Sequence, residues 1–302
     1  MDAKDTPVSI PPQEDLTEVR KPTSLLVAQF FLFPLIIIAF GIGIFILFGS
    51  IAFDQKSAEE YLAEVRQRDG SRRWQAAFEF ANVVTAHRDD LQHDPALART
   101  LEDTYRSAMP AEGVEGTEEA WRLRQYLAFS MGELGNPEFV PALIEGLWDG
   151  APETQMATLV SLGKIGDPGA APHVARLLTS EDSGVRMTAV YVLGVLENPE
   201  TLRDLRVALN DSAVDVRWNA AMALARMDDR SGADILIQLT DRSYLVQFTE
   251  MSEAQKNQTI INAVTCLGLL KLERAREQIV ALSTGDPSIT VRSAALAALE
   301  SF

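Results

Sequence analysis

Apolar and polar positions follow two different patterns along this chain. Residues 25–53 form one uninterrupted apolar run, LLVAQFFLFPLIIIAFGIGIFILFGSIAF, without a charged side chain. Beyond it the apolar positions recur at helical spacing: in VRMTAVYVLGVL, Val185, Ala189, Val190, Leu193 and Leu196 share one face of a helix. That phrase returns along the chain. Gly132, Gly163 and Gly194 stand 31 residues apart in FSMGELGNP, VSLGKIGDP and YVLGVLENP. Ala225 keeps the slot in AALARMDD, and Gly268 follows in TCLGLLK after 43 residues, twelve more than the period. A further copy, VRSAALAALESF, begins at Val291. Asn136-Pro137, Asp167-Pro168 and Asn198-Pro199 then break the chain, the Asn or Asp as turn former and the Pro at the first helical position. A second helical stretch follows each break: PEFVPALIEGLW, PGAAPHVARLL and PETLRDLRVAL. Each unit therefore reads as a helical hairpin that buries both faces only by stacking on its neighbours. The small residue predicts a close approach of the paired helices.

Eight residues before the small position stands Arg124, Arg186 or Arg217, with Val before the last two. In its Val-Arg phrase, its A-x-x-x-L-G phrase and its Asn/Asp-Pro turn, the segment 118–302 resembles the HEAT-repeat superfamily, in the short form known as PBS-lyase HEAT-like repeats. The resemblance implies an all-α fold, a right-handed α-solenoid of helical hairpins, and a working surface that binds proteins. It also implies a structural ladder of turn Asp and helix Arg between neighbouring repeats, carried here by Asp182 with Arg186, Asp215 with Arg217 and Asp286 with Arg292. Gln155, standing where Arg is expected, interrupts that ladder.

The remaining segments divide as follows. Residues 1–24, with Pro7, Pro11, Pro12 and Pro22 among mixed charges, are expected to be extended or disordered. The run 25–53 exceeds the ~20 residues needed to cross a ~30 Å hydrocarbon core and is expected to be a single uncleaved transmembrane helix. Within it Ala39 and Gly43, four apart, offer a notch against which another membrane helix could pack. Arg20 and Lys21 favour the tail inside and the large domain outside an inner membrane; the cytoplasmic arrangement is the alternative. Residues 54–117 read as linker helices and an atypical capping repeat, with Ala58, Tyr61, Leu62 and Val65 on one helical face.

Composition narrows the function. A net charge of −16 and the lack of any Lys/Arg run exclude a phosphate-backbone binder. The single cysteine, Cys266, lies in an apolar stretch and reads as a small buried hydrophobe. His87, His93 and His173 have no metal-ligand spacing, and no His-Glu dipeptide occurs, unlike the iron-binding hydroxylases built from HEAT repeats. No catalytic, cofactor or metal residue is assigned. Two departures from the repeat mark candidate partner contacts. One is the insertion SYLVQFTEMSEA at 243–254, with Tyr244, Leu245 and Phe248; the other is the last helix, with Leu299 and Phe302. The reading is a membrane-anchored, non-enzymatic protein–protein interaction scaffold, a subunit of a membrane protein complex that touches the lipid bilayer through one span. A bilin-lyase-like enzyme and an adaptor for a transporter or signalling protein are the alternatives.

Overall fold

The computed structural model describes residues 38–44, 56–67, 72–110 and 116–302, which fall in two compact units, Met1–Lys56 and Ser57–Phe302. The first unit contributes one described helix, α1 (residues 38–44). Among the described residues no helix is long and apolar enough to cross a membrane. The expected inner-membrane placement is thereby corrected; the expected single span, with its bilayer contact, falls mostly on positions 25–37 and 45–53, which lie outside the described residues. Ala39 and Gly43 fall in α1, both exposed, and a Cβ built on Gly43 would meet nothing within 4 Å. The notch has no described neighbour.

The second unit begins with α2 (Ala58–Gln67), α3 (Arg73–Ala86) and α4 (Pro95–Ser107). Five hairpins follow: α5 (Glu118–Leu134) with α6 (Val140–Gly146), α7 (Pro152–Ile165) with α8 (Ala171–Ala175), α9 (Ser183–Leu196) with α10 (Leu202–Ala208), α11 (Val214–Arg226) with α12 (Ala233–Leu239), and α13 (Glu253–Leu269) with α14 (Arg276–Gly285). A sixth copy contributes α15 (Ile289–Leu299). No strand occurs among the described residues. The odd-numbered helices from α3 to α15 stack in sequence as one layer, and the short even-numbered helices from α6 form the other.

The turn chemistry explains why the phrases fold this way. Asn136, Asp167, Asn198 and Asp229 each accept a hydrogen bond from the backbone N–H two residues on, at 3.0, 2.8, 3.0 and 2.8 Å. Each caps a 3-10 turn that leads into the second helix. The residue that ends the first helix is left-handed: Gly135 (φ 67°), Gly166 (φ 76°) and Glu197 (φ 47°). Glycine adopts that conformation without strain; Glu197 does not.

The conserved-size slot works between copies, not within a hairpin. A Cβ on Gly132 would lie 2.7 Å from Ser161 Cα, and one on Gly194 would lie 2.9 Å from Ala223 Cα. Those neighbours belong to the first helix of the next copy. The small residue therefore sets the distance between stacked copies, which is where the main core of buried Leu, Val and Ala side chains is continuous.

The arginine pairings also run between copies. Arg186 grips Asp211, Nε and Nη2 each donating to a carboxylate oxygen at 2.9 Å, while Nη1 donates to the Ser180 carbonyl at 2.8 Å. Asp182 instead caps α9 through the Val185 N–H at 2.9 Å. Arg124 pairs in the same way with Asp149, Nη2 to Oδ1 at 3.0 Å, with both side chains almost fully buried. Arg217 donates to the Asp211 carbonyl at 2.7 Å, not to Asp215, and Arg292 donates to the Asp286 carbonyl. The Asp286 carboxylate is held by Arg242, two bonds of 2.7 Å. Asp182 is occupied with its own cap, so Arg186 reaches the carboxylate of the next turn, whereas Arg217 and Arg292 bond to backbone carbonyls at their own helix starts.

Candidate partner-binding surface

The insertion between α12 and α13 folds back onto the stack. A helical turn, Arg242–Leu245, starts under the Asp241 cap and carries Leu245 into the second core cluster, 1% exposed. Tyr244 and Phe248 pack edge-on around Trp218 of α11, centroids 6.3 and 4.9 Å away, and 5.5 Å from each other. Leu245 is thus unavailable to a partner, and Tyr244 and Phe248 are half-covered: three large apolar side chains next to Trp218 bury more area by closing on it than by facing water. At the last helix Val291 and Ala295 are buried, while Leu299 and Phe302 are half-buried against the same cluster.

The insertion has a structural task that its sequence did not announce. In α13 the slot eight residues before Gly268 holds Ile260, not arginine. Arg242, delivered by the inserted turn and further fixed by a 2.6 Å bond to Asn257 Oδ1, supplies the missing guanidinium to Asp286, whose side chain is fully buried.

Exposed apolar surface gathers elsewhere, on the outer face of the stacked first helices. A groove of about 560 Å³ runs across α3, α5 and α7, with Phe78, Tyr126, Phe129, Met156 and Val160 on its walls. Phe78 and Tyr126 meet edge-on at 5.3 Å, and the Lys164 ammonium sits 4.7 Å above the Phe129 ring while paired with Glu133. The apolar stripe continues on α9 through Tyr191 (47% exposed) and Val195 (40%). Arg226 of α11 lies over the Tyr191 ring at 5.8 Å. The sequence did carry a signal for this face: Phe129, Val160 and Tyr191 each stand three residues before the small slot, off the helix side that packs in the core.

The titratable groups serve the scaffold. Burial pushes the Tyr105 hydroxyl up to about 12, against a 3.3 Å hydrogen bond with Thr158, and burial pushes the Cys266 thiol up to about 11. The Asp211 carboxyl is lowered by its hydrogen bonds from Arg186. Among the described residues no group of three or more His, Cys, Asp or Glu side chains could hold a metal ion.

Residues 115–194 and 174–248 match the family described as HEAT repeats. The match confirms HEAT repeats in that segment. A deoxyhypusine hydroxylase from Eremothecium gossypii is 28% identical over 184 residues, 59% of this chain and 57% of that protein. The chain thus spans little more than half the length of this curated relative. Among solved structures, the complex of CpcE and CpcF of phycocyanin lyase from Nostoc sp. shares the fold: TM-score 0.53, 19% identity, 81% of this chain and 87% of that one. Human deoxyhypusine hydroxylase in complex with glycerol aligns at TM-score 0.35 and 16% identity over 84% of this chain and 98% of its own. The expectation of a chain without catalysis is corrected by the first of these likenesses, since the relative is an enzyme.

Proposed function

We propose that this chain is a HEAT-repeat scaffold whose outer groove takes up an apolar, amphipathic helical segment of a partner protein. The observation that carries the reading is the groove itself. Aromatic and aliphatic side chains at successive repeats line one continuous recess in a chain of net charge −16. Glu153 lines it without an ion pair among the described residues and favours lysine or arginine on the flank of the incoming helix. In the solved neighbour two such chains, CpcE and CpcF, form a complex, which agrees with repeats that meet other proteins.

The test uses a labelled synthetic helix with leucines at i, i+3, i+4 and i+7 and lysines on its flanks. Saturable binding that is lost in Val160→Glu but kept in Val207→Glu, a control on the opposite layer, is expected. Equal binding by both variants overturns the proposal.

A second reading, a hydroxylase like the curated relative, is motivated by that identity. Resemblance to the iron-binding hydroxylases built from HEAT repeats would imply repeated His-Glu pairs as iron donors; the chain has no His-Glu dipeptide, and the described residues assemble no metal-binding group. The described residues do not fit such a metal. Iron content after dialysis discriminates the readings: stoichiometric retained iron favours the hydroxylase.

A further inference from the structure

Between α11 and α13 the end of one first helix and the turn after the next enclose a cleft of about 400 Å³. Its walls carry Arg226, Arg230 and Lys271, with Asp228 as the one lining carboxylate and Leu269 as the exposed apolar flank. Three cations against one anion make a positive recess in a protein of net charge −16. None of the three makes an ion pair among the described residues. Arg230 is placed by a 3.1 Å bond from Nη2 to the Leu270 carbonyl, and Arg226 is placed by the Tyr191 ring. Elsewhere in the stack turn carboxylates engage arginines, as Asp211 engages Arg186 and Asp229 engages Arg206. Here Arg226, Arg230 and Lys271 are exposed, and among the described residues the bond from Arg230 to the Leu270 carbonyl is the one side-chain hydrogen bond they make to protein.

We propose that this cleft binds the carboxylates of an acidic peptide segment, Arg226, Arg230 and Lys271 donating to them. Two guanidinium forks suit planar carboxylates. The exposed Leu269 and the neighbouring Tyr191 favour a peptide, which brings apolar groups as well as charge, over a bare ion. Because Arg226 touches Tyr191, the cleft lies where the apolar stripe of the outer face ends. On the scaffold reading, on which this last step rests, it would fix the direction of the bound helix: apolar residues along the groove, acidic residues at the α11–α13 end.

The cleft is tested alone with fluorescein-labelled hexaglutamate and the full chain at low salt. Saturable binding is expected, weakened as salt approaches the concentration at which the screening length falls below ~10 Å. The double variant Arg226→Glu/Lys271→Glu, which keeps the Arg230 bond, should weaken it roughly tenfold or more, each exposed pair contributing a few-fold. Arg203→Glu, an equal change of charge per site away from the cleft, should leave it within twofold. Helicity of all variants is checked by circular dichroism. Absence of saturable binding, or equal weakening by Arg203→Glu, overturns the proposal, and so does inorganic phosphate that displaces the peptide at equal concentration. Failure of the leucine-rich helix to bind while hexaglutamate still binds would remove the groove reading and leave the cleft standing.

Discussion

Replacing the small residue between copies should act in opposite directions at neighbouring repeats. In an ordinary helix interior, Gly→Ala is worth about 1 kcal/mol of stabilisation through helix propensity. At Gly132 the new Cβ would lie 2.7 Å from the Ser161 Cα and 2.8 Å from its Cβ. Carbon atoms pack comfortably at about 3.5–4 Å, so the α5 and α7 backbones must separate by several tenths of an ångström or more. The movement would also stretch the 2.8 Å bond from Ser161 Oγ to the Ala128 carbonyl, which joins the same two helices. Overpacking of this kind costs about 1–3 kcal/mol and the weakened hydrogen bond about 1 more, so against the propensity gain Gly132→Ala should be destabilising by roughly 1–3 kcal/mol net. At Gly163 the nearest atoms are the Val192 methyls, at 3.3 and 3.5 Å. That side chain can yield, and Gly163→Ala should be neutral or stabilising by up to about 1 kcal/mol. Urea unfolding followed at 222 nm reads both, as shifts of midpoint at unchanged slope. If the two variants shift the midpoint equally in the same direction, interhelical contact at Gly132 does not set the spacing of the copies.

Four further outcomes are expected. Arg124→Ala leaves the Asp149 carboxylate buried without its partner and should cost about 3–5 kcal/mol, against under about 1 kcal/mol for the half-exposed Arg106→Ala, both read by the same urea titration. The Asp211 carboxyl lies below its ordinary 3.8 because Arg186 bonds to it, so its contribution is full above that value and is lost as pH falls through the lower folded value; Asp211→Asn should flatten the acid limb of a stability–pH curve. Glu197→Gly relieves a left-handed residue at φ 47° and should raise the unfolding midpoint by the equivalent of about 0.5–1 kcal/mol, whereas Gly166→Ala at φ 76° should lower it. Cys266, 4% exposed and raised to about 11 by burial, should react with a thiol reagent at pH 8 only after denaturant unfolds the chain.

What the sequence made legible was what short-range chemistry dictates. The turns at Asn136, Asp167 and Asn198, the glycine slot and the helical faces are local, and each lies where its spacing put it. What it hid depends on which copy a side chain reaches. Arg186 and Asp182 look paired because they are four residues apart, but Asp182 is spent on the α9 cap and the carboxylate that Arg186 finds is 25 residues on. The same spacing joins Arg124 to Asp149. The chain even marks the rule by its exception: where Gln155 replaces the arginine, Ser180 stands 25 residues later in place of the acid, so both charges are missing together. A lone buried carboxylate at that turn would cost several kcal/mol, so the acid does not stand there without a guanidinium; an arginine without the acid is tolerated, as Arg217 bonds to the Asp211 and Ser212 carbonyls. The insertion obeys the same constraint from the other side. Asp286 is a buried acid whose own helix partner slot is Ile260, and Arg242 can satisfy it only if the inserted turn docks on the stack. That docking carries Leu245 inward and leads Tyr244 and Phe248 onto Trp218, which is why the most apolar loop of the chain covers its core. Arg242→Ala should therefore do more than remove one ion pair. It leaves the Asp286 carboxylate buried and frees the insertion, and should lower stability by about 3–5 kcal/mol. Hydrogen exchange should then rise across 242–252 and 286–299 while 118–196 keeps its protection. Uniform loss of protection along the whole unit would show that the insertion does not act as a local clasp.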